Sequence, residues 1–143
     1  MDLKQILLSA LVFAVVSQIV HTLGSFPTMD YYTDPANFGL WSRLMMPTAG
    51  PPGTEFYVAS FAFSFITGCI FAWVYSIIRK SVPGKDVMNG FNYGLMLFLM
   101  VGVPYTLSNI LLLAIPIGLQ MEWALETLVI YGMGGLAFAK IVK

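Results

Sequence analysis

The chain has 143 residues, 58% of them apolar and 10% charged, with a formal net charge of zero and a mean hydropathy of +0.81. A soluble protein of this size cannot hide that much hydrocarbon, and four membrane crossings of about 20 to 25 residues leave no length for an extramembrane domain. No basic cluster interleaved with aromatic residues is present, so nucleic acid is not an expected partner.

The first apolar run predicts a span from about Gln5 to Gly24, ended by Phe26-Pro27 because proline lacks the donor that a continuing helix needs. A basic start before such a run is the outline of a signal peptide. No small-x-small cleavage site follows Val20, however, and a retained span is expected. Ser9, Ser17 and Gln18 are neutral polar groups suited to contacts between helices.

Residues 25 to 55 form the one substantial loop. Asp34-Pro35 is a helix start, an acidic cap followed by proline at the first position, and Phe38, Trp41 and Met45 recur at helical spacing. The reading is a short helix from Pro35 to Met46 in the membrane interface, a level that also suits Tyr31, Tyr32 and Trp41. Pro47 ends it, and Ala49-Gly50-Pro51-Pro52-Gly53 makes a turn. The loop either anchors in the interface or caps the helix ends.

The second span is Glu55 to Ile78, closed by Arg79-Lys80 and a polar turn from Ser81 to Asp86. From Val87 to Met121 there is no charged residue in 35 positions. Together with the residues up to Ala139 this is too long for one crossing at about 1.5 Å per residue, so Pro116 is read as dividing span three, about 89 to 114, from span four, about 117 to 139. Pro104 is expected to bend span three and free a backbone carbonyl. The whole, residues 1–143, reads as a single integral membrane domain: an all-α bundle of four transmembrane helices with a short interfacial helix in its outer loop.

Lys4, Arg79, Lys80, Lys85, Lys140 and Lys143 fall on one side of such a bundle, and only Arg43 lies in the long loop. The excess of positive charge predicts cytoplasmic termini and an outward loop 25–54, with the inner membrane of a bacterium or archaeon as the expected location.

A shift of 67 residues places Glu55 over Glu122, Gly68 over Gly135, Phe71 over Phe138 and Ala72 over Ala139. Spans two and four run in the same direction, so this pattern is compatible with two parallel two-helix hairpin repeats, although spans one and three align poorly. On span two Ser60, Ser64, Gly68, Ala72 and Ser76 recur every four residues, and on span four Gly132, Gly135 and Ala139 form a shorter stripe. Small residues let helix backbones approach in lipid, so these stripes are expected seams, within the bundle or toward another copy or subunit.

Glu122 and Glu126 lie one turn apart on span four, Glu55 opens span two at the matching level, and His21 lies near the same end of span one. Ionisable groups in a membrane segment face protein or a watery cavity, so this set could bind a divalent cation, pass a proton or hold a cationic ligand. Glu55 and Glu122 also suit the first turn of a helix, where a negative charge offsets the dipole. Pro104, with Tyr105, Thr106, Ser108 and Asn109 after it, and Tyr131 are further candidate lining residues. A metal is left open, no cofactor is implied, and Cys69 is read as a packing residue. No H-E-x-x-H, G-x-S-x-G or Cys-His ligand spacing occurs.

The expected function is accordingly a noncatalytic structural or assembly subunit, as a homo-oligomer or with other integral membrane subunits, surrounded by membrane lipids. The alternative is a carrier or binding protein with an outward acidic cavity. An enzyme acting on a lipid or quinone ranks behind both, because no nucleophile or metal set selects a reaction.

Overall fold

The computed structural model describes residues 2–46 and 51–142. Pro47, Ala49, Gly50 and Lys143 lie outside the described residues. Among the described residues four helices are long and apolar enough to cross a bilayer: Leu3–Ser25, Thr54–Ile78, Asp86–Leu112 and Ile117–Ile141. The expected all-helical, four-span membrane architecture is therefore present, with span ends displaced by at most three residues.

Helix α1 (Leu3–Ser25) starts where the Asp2 carboxylate accepts the Lys4 amide. After it come the short helix α2 (Met29–Thr33) and a 3-10 helix over Pro35–Leu40. Asp34 caps the latter as expected, accepting from the Ala36 amide with Pro35 at the first turn. The interfacial helix is nevertheless shorter than the Pro35-to-Met46 reading. Trp41 is extended, at φ −86° and ψ 142°, and the Ser42 hydroxyl accepts from the Met45 amide to open a separate turn. A serine bonding its own local backbone competes with helix propagation, and Gly39 weakens the helix just before.

Helix α3 is Thr54–Ile78. The third span comprises α4 (Asp86–Leu97), a π-helical turn over Phe98–Gly102, and α5 (Val103–Leu112). The wide turn lies immediately before Pro104, whose ring removes one helical donor and crowds the preceding turn, so a π-turn relieves the strain without breaking the span. Leu113 is extended and α6 (Ile117–Ile141) begins directly after Pro116, which places the division between spans three and four where the sequence put it.

Helices α1 and α6 form the central pair, with α3 lying on α1 and α4 on α6. Close approach depends on small residues. A Cβ at Gly68 would stand 2.9 Å from the Ala10 Cα, Ser64 donates to Ser17 at 3.1 Å, and Gln18 Nε2 donates to Ser60 at 2.8 Å, so α3 turns this face to α1. On the other side Gly90 and Gly135 meet backbone to backbone, Gly94 abuts Tyr131 and Gly132, and Ala139 packs beside Gly90. The two glycines matched by the 67-residue shift thus each sit at a close approach of their own helix pair.

The solid part of the interior is an aromatic plug in the half of the bundle that carries the basic residues. Phe13 stacks on Phe138 at 6.0 Å and meets Phe71 edge-on at 5.8 Å, while Tyr75 and Tyr93 lie 5.0 Å apart. Tyr93 donates to the Phe71 carbonyl, and Asn89, buried, accepts from Tyr75 while donating to the Arg79 and Val82 carbonyls. These bonds tie α3 to α4 at the basic end. The opposite half, beneath the long loop, is more open and more polar.

Candidate functional site

The loop is folded back onto the start of α6. Tyr32 accepts the Trp123 indole N–H at 2.8 Å, and Trp41 stacks on Tyr32 at 5.1 Å while meeting Trp123 edge-on at 6.4 Å. Gly118 leaves room for the Tyr31 phenol against the helix backbone, and Asn37 donates to the Tyr31 carbonyl. The Tyr32 hydroxyl titrates above the usual range of a phenol. Burial pushes its phenol from 10.0 up to about 12, the Trp123 donor pulls it down in part, and the nearby Glu122 and Glu126 raise it.

Beneath this cap His21 Nδ1 of α1 lies 2.6 Å from Glu126 Oε2 of α6. Glu126 is only 7% exposed, whereas the His21 ring is 49% exposed. Gly24, one turn beyond His21, is the steric condition for this arrangement: a Cβ there would overlap the carboxyl groups of both Glu126 and Glu122. The Glu122 oxygens are buried and pack beside the Glu126 carboxyl against Gly24, with no donor from another side chain among the described residues. The imidazole thus bonds one of two adjoining carboxyl groups, that of Glu126.

This pair borders a cavity of about 700 Å³. Gln18 and His21 come from α1, Phe56 and Ser60 from α3, Tyr105 from α5, and Trp123, Glu126 and Thr127 from α6, with Tyr32 and Phe38 of the loop above. The walls are mainly apolar and aromatic, and the polar groups gather on the α1 and α6 sides. A volume in the few-hundred-Å³ range with a few convergent polar groups is the usual form of a small-molecule site.

The structure brings together part of the sequence-predicted set. His21 and Glu126 are joined, and Glu122 stands behind them, outside the cavity wall. Glu55 does not join them; it is exposed in the first turn of α3, because α3 packs on α1 and hardly touches α6. Tyr131 is likewise not a lining residue. Five positions beyond Glu126 places it about 140° around the helix, where its ring lies 5.2 Å from Phe71 in the aromatic plug. Pro104 is exposed on the outside of its span, and its neighbour Tyr105 reaches the cavity instead. Among the described residues no group of three or more His, Cys, Asp or Glu side chains is placed to hold a metal ion.

Trp123, Thr127 and Gln120 were not singled out in the sequence, although their spacing of three and four marks one polar face of α6. Gly90 and Gly94 were also passed over; their G-x-x-x-G spacing was the available signal for the α4–α6 seam. The chain matches no family model, and comparison with curated proteins and with solved structures finds no significant match.

Proposed function

We propose that this integral membrane protein is a noncatalytic binding protein or carrier that receives a small amphipathic cation in the cavity beneath its loop. The observation that carries the reading is the His21–Glu126 pair on the wall of a largely apolar space of about 700 Å³. Glu122 and Glu126 exceed the positive charge His21 can bring, and a carboxyl pair in low-dielectric surroundings favours a further cation or a proton beside it. The aromatic walls suit the apolar part of such a ligand and also favour a cation over a ring face. With Lys4, Arg79, Lys80, Lys85 and Lys140 at the other end, the cavity opens on the outer side and both termini are cytoplasmic.

The assembly-subunit reading drew on the small-residue stripes. Ser60, Ser64 and Gly68 of α3 face α1, and Gly132, Gly135 and Ala139 of α6 face α4 of the same chain, so these positions are engaged within the chain.

The test is equilibrium binding of octyltrimethylammonium to the protein in lipid nanodiscs, with octanesulfonate as the anionic control. Wild type is expected to bind the cation saturably and discriminate against the anion, and Glu126→Gln to weaken cation binding at least tenfold with unchanged assembly. Equal binding of both probes, or full cation binding by Glu126→Gln, overturns the proposal.

A further inference from the structure

A second, smaller cavity of about 20 Å³ lies between α5 and α6, bounded by Tyr105, Thr106, Asn109, Gln120, Trp123 and Thr127. Gln120 is 3% exposed, and its Oε1 is buried with no hydrogen-bond partner among the described residues. A buried acceptor left so costs about 1–3 kcal/mol, a large penalty to find next to a polar cavity. Turning the amide over does not remove it. Gln120 Nε2 donates to the Ile115 carbonyl at 2.8 Å, and a flipped side chain would set two oxygens against each other there.

The neighbours do not supply the missing donor either. Thr106 directs its proton to the Gly102 carbonyl and Thr127 to the Trp123 carbonyl, so both hydroxyls present lone pairs to the space. The Trp123 N–H is engaged by Tyr32. Three acceptors thus border one volume, and the remaining polar lining groups, Tyr105 and Asn109, do not bond Gln120 Oε1. The size suits one particle, since a water molecule requires about 10–15 Å³ of such space and two to four polar partners.

We infer that this cavity is a binding site for a single hydrogen-bond donor of water size, held by Gln120 Oε1 and the Thr106 and Thr127 hydroxyl oxygens. Water and the ammonium ion share that chemistry. The site links α5 to α6 in the half of the bundle where the π-turn has ended the tight α4–α6 seam. It is independent of what occupies the larger cavity.

The test uses protein carrying 15N-labelled glutamine in nanodiscs, with nuclear Overhauser transfer measured to the Gln120 side-chain amide. A cross-peak to long-lived water that persists on adding ammonium chloride identifies water as the occupant; its replacement by an ammonium cross-peak identifies the cation. Gln120→Leu should abolish the signal and thereby assign it. Thr106→Val, which retains the glutamine, should shorten the occupant's residence several-fold if the leucine variant does not fold. Absence of any cross-peak in both buffers, or a residence unaffected by Thr106→Val, overturns the inference.

Discussion

His21 Nδ1 stands 2.6 Å from Glu126 Oε2, across the contact between the two central helices and one turn from the glycine that makes room for the carboxyl. The two side chains are unequal: the acid is almost wholly buried and the imidazole half exposed. Removing the imidazole leaves a buried carboxyl without its partner, whereas changing the carboxyl to an amide leaves a neutral group that still hydrogen-bonds. His21→Ala is therefore expected to lower stability more than Glu126→Gln. A double-mutant cycle should give a coupling of about 1–2 kcal/mol, below the range of fully buried pairs because water reaches His21. Thermal unfolding in nanodiscs measures it, and additive single changes would show that the pair is not coupled.

The α4–α6 seam makes a sharper steric prediction. A side chain at Gly90 would overlap the Gly135 carbonyl, and backbone cannot rotate away as a flexible side chain can. Gly90→Leu is expected to destabilise by about 3 kcal/mol, the upper part of the overpacking range. Gly39, with no atom within 4 Å of an added Cβ, is the internal control, and Gly39→Ala should change stability by less than about 0.5 kcal/mol. Similar unfolding temperatures for the two variants would contradict the close approach.

The spans were legible because hydrocarbon length is a linear property of the chain: Pro27, Arg79 and Pro116 punctuate it, and each stands within a few residues of a helix end. His21 and Glu126 were legible for a related reason, since ionisable groups within an apolar run require a partner. What was not legible depended on which helices touch. Glu55 stands in the first turn of α3 as expected, whereas Glu122 lies past the first turn of α6 and does not offset its dipole; α3 packs on α1 and α6 packs on both α1 and α4, so only Glu122 comes beside the pair. The interfacial helix is present as expected and only its far end comes earlier, on local grounds. Phe38, Trp41 and Met45 have helical spacing, but stacking of Trp41 on Tyr32 and the Ser42 turn outweigh it.

Asn89 is the polar counterpart of the glycine seam at the basic end. Its carbonyl oxygen takes the Tyr75 proton at 2.7 Å, and its amide closes the α3–α4 turn through the Val82 carbonyl at 2.7 Å and the Arg79 carbonyl at 3.0 Å. At about 1 kcal/mol for each bond, with the Val82 carbonyl left buried, Asn89→Ala should cost about 2–3 kcal/mol. Asn89→Asp keeps the acceptor for Tyr75 but removes both donors. It should therefore be no more stable than the alanine variant, and near-wild-type unfolding of the aspartate variant would show that the turn does not depend on those donors.

The loop cap should loosen in alkali because of Tyr32. Its phenol is buried and held at about 12, whereas an unfolded chain releases the same proton near 10.0. The folded state thus binds this proton more tightly, and its contribution to docking is fully present below pH 10 and is lost as the pH rises through 12. Phenolate absorbance should contain a late component near pH 12 that disappears in Tyr32→Phe. Trp123→Phe removes the indole donor that favours the phenolate, so with the cap still docked the late component should move higher. A Tyr32 component titrating near 10 in the wild type would mean that the ring is solvated and that the loop does not lie on α6.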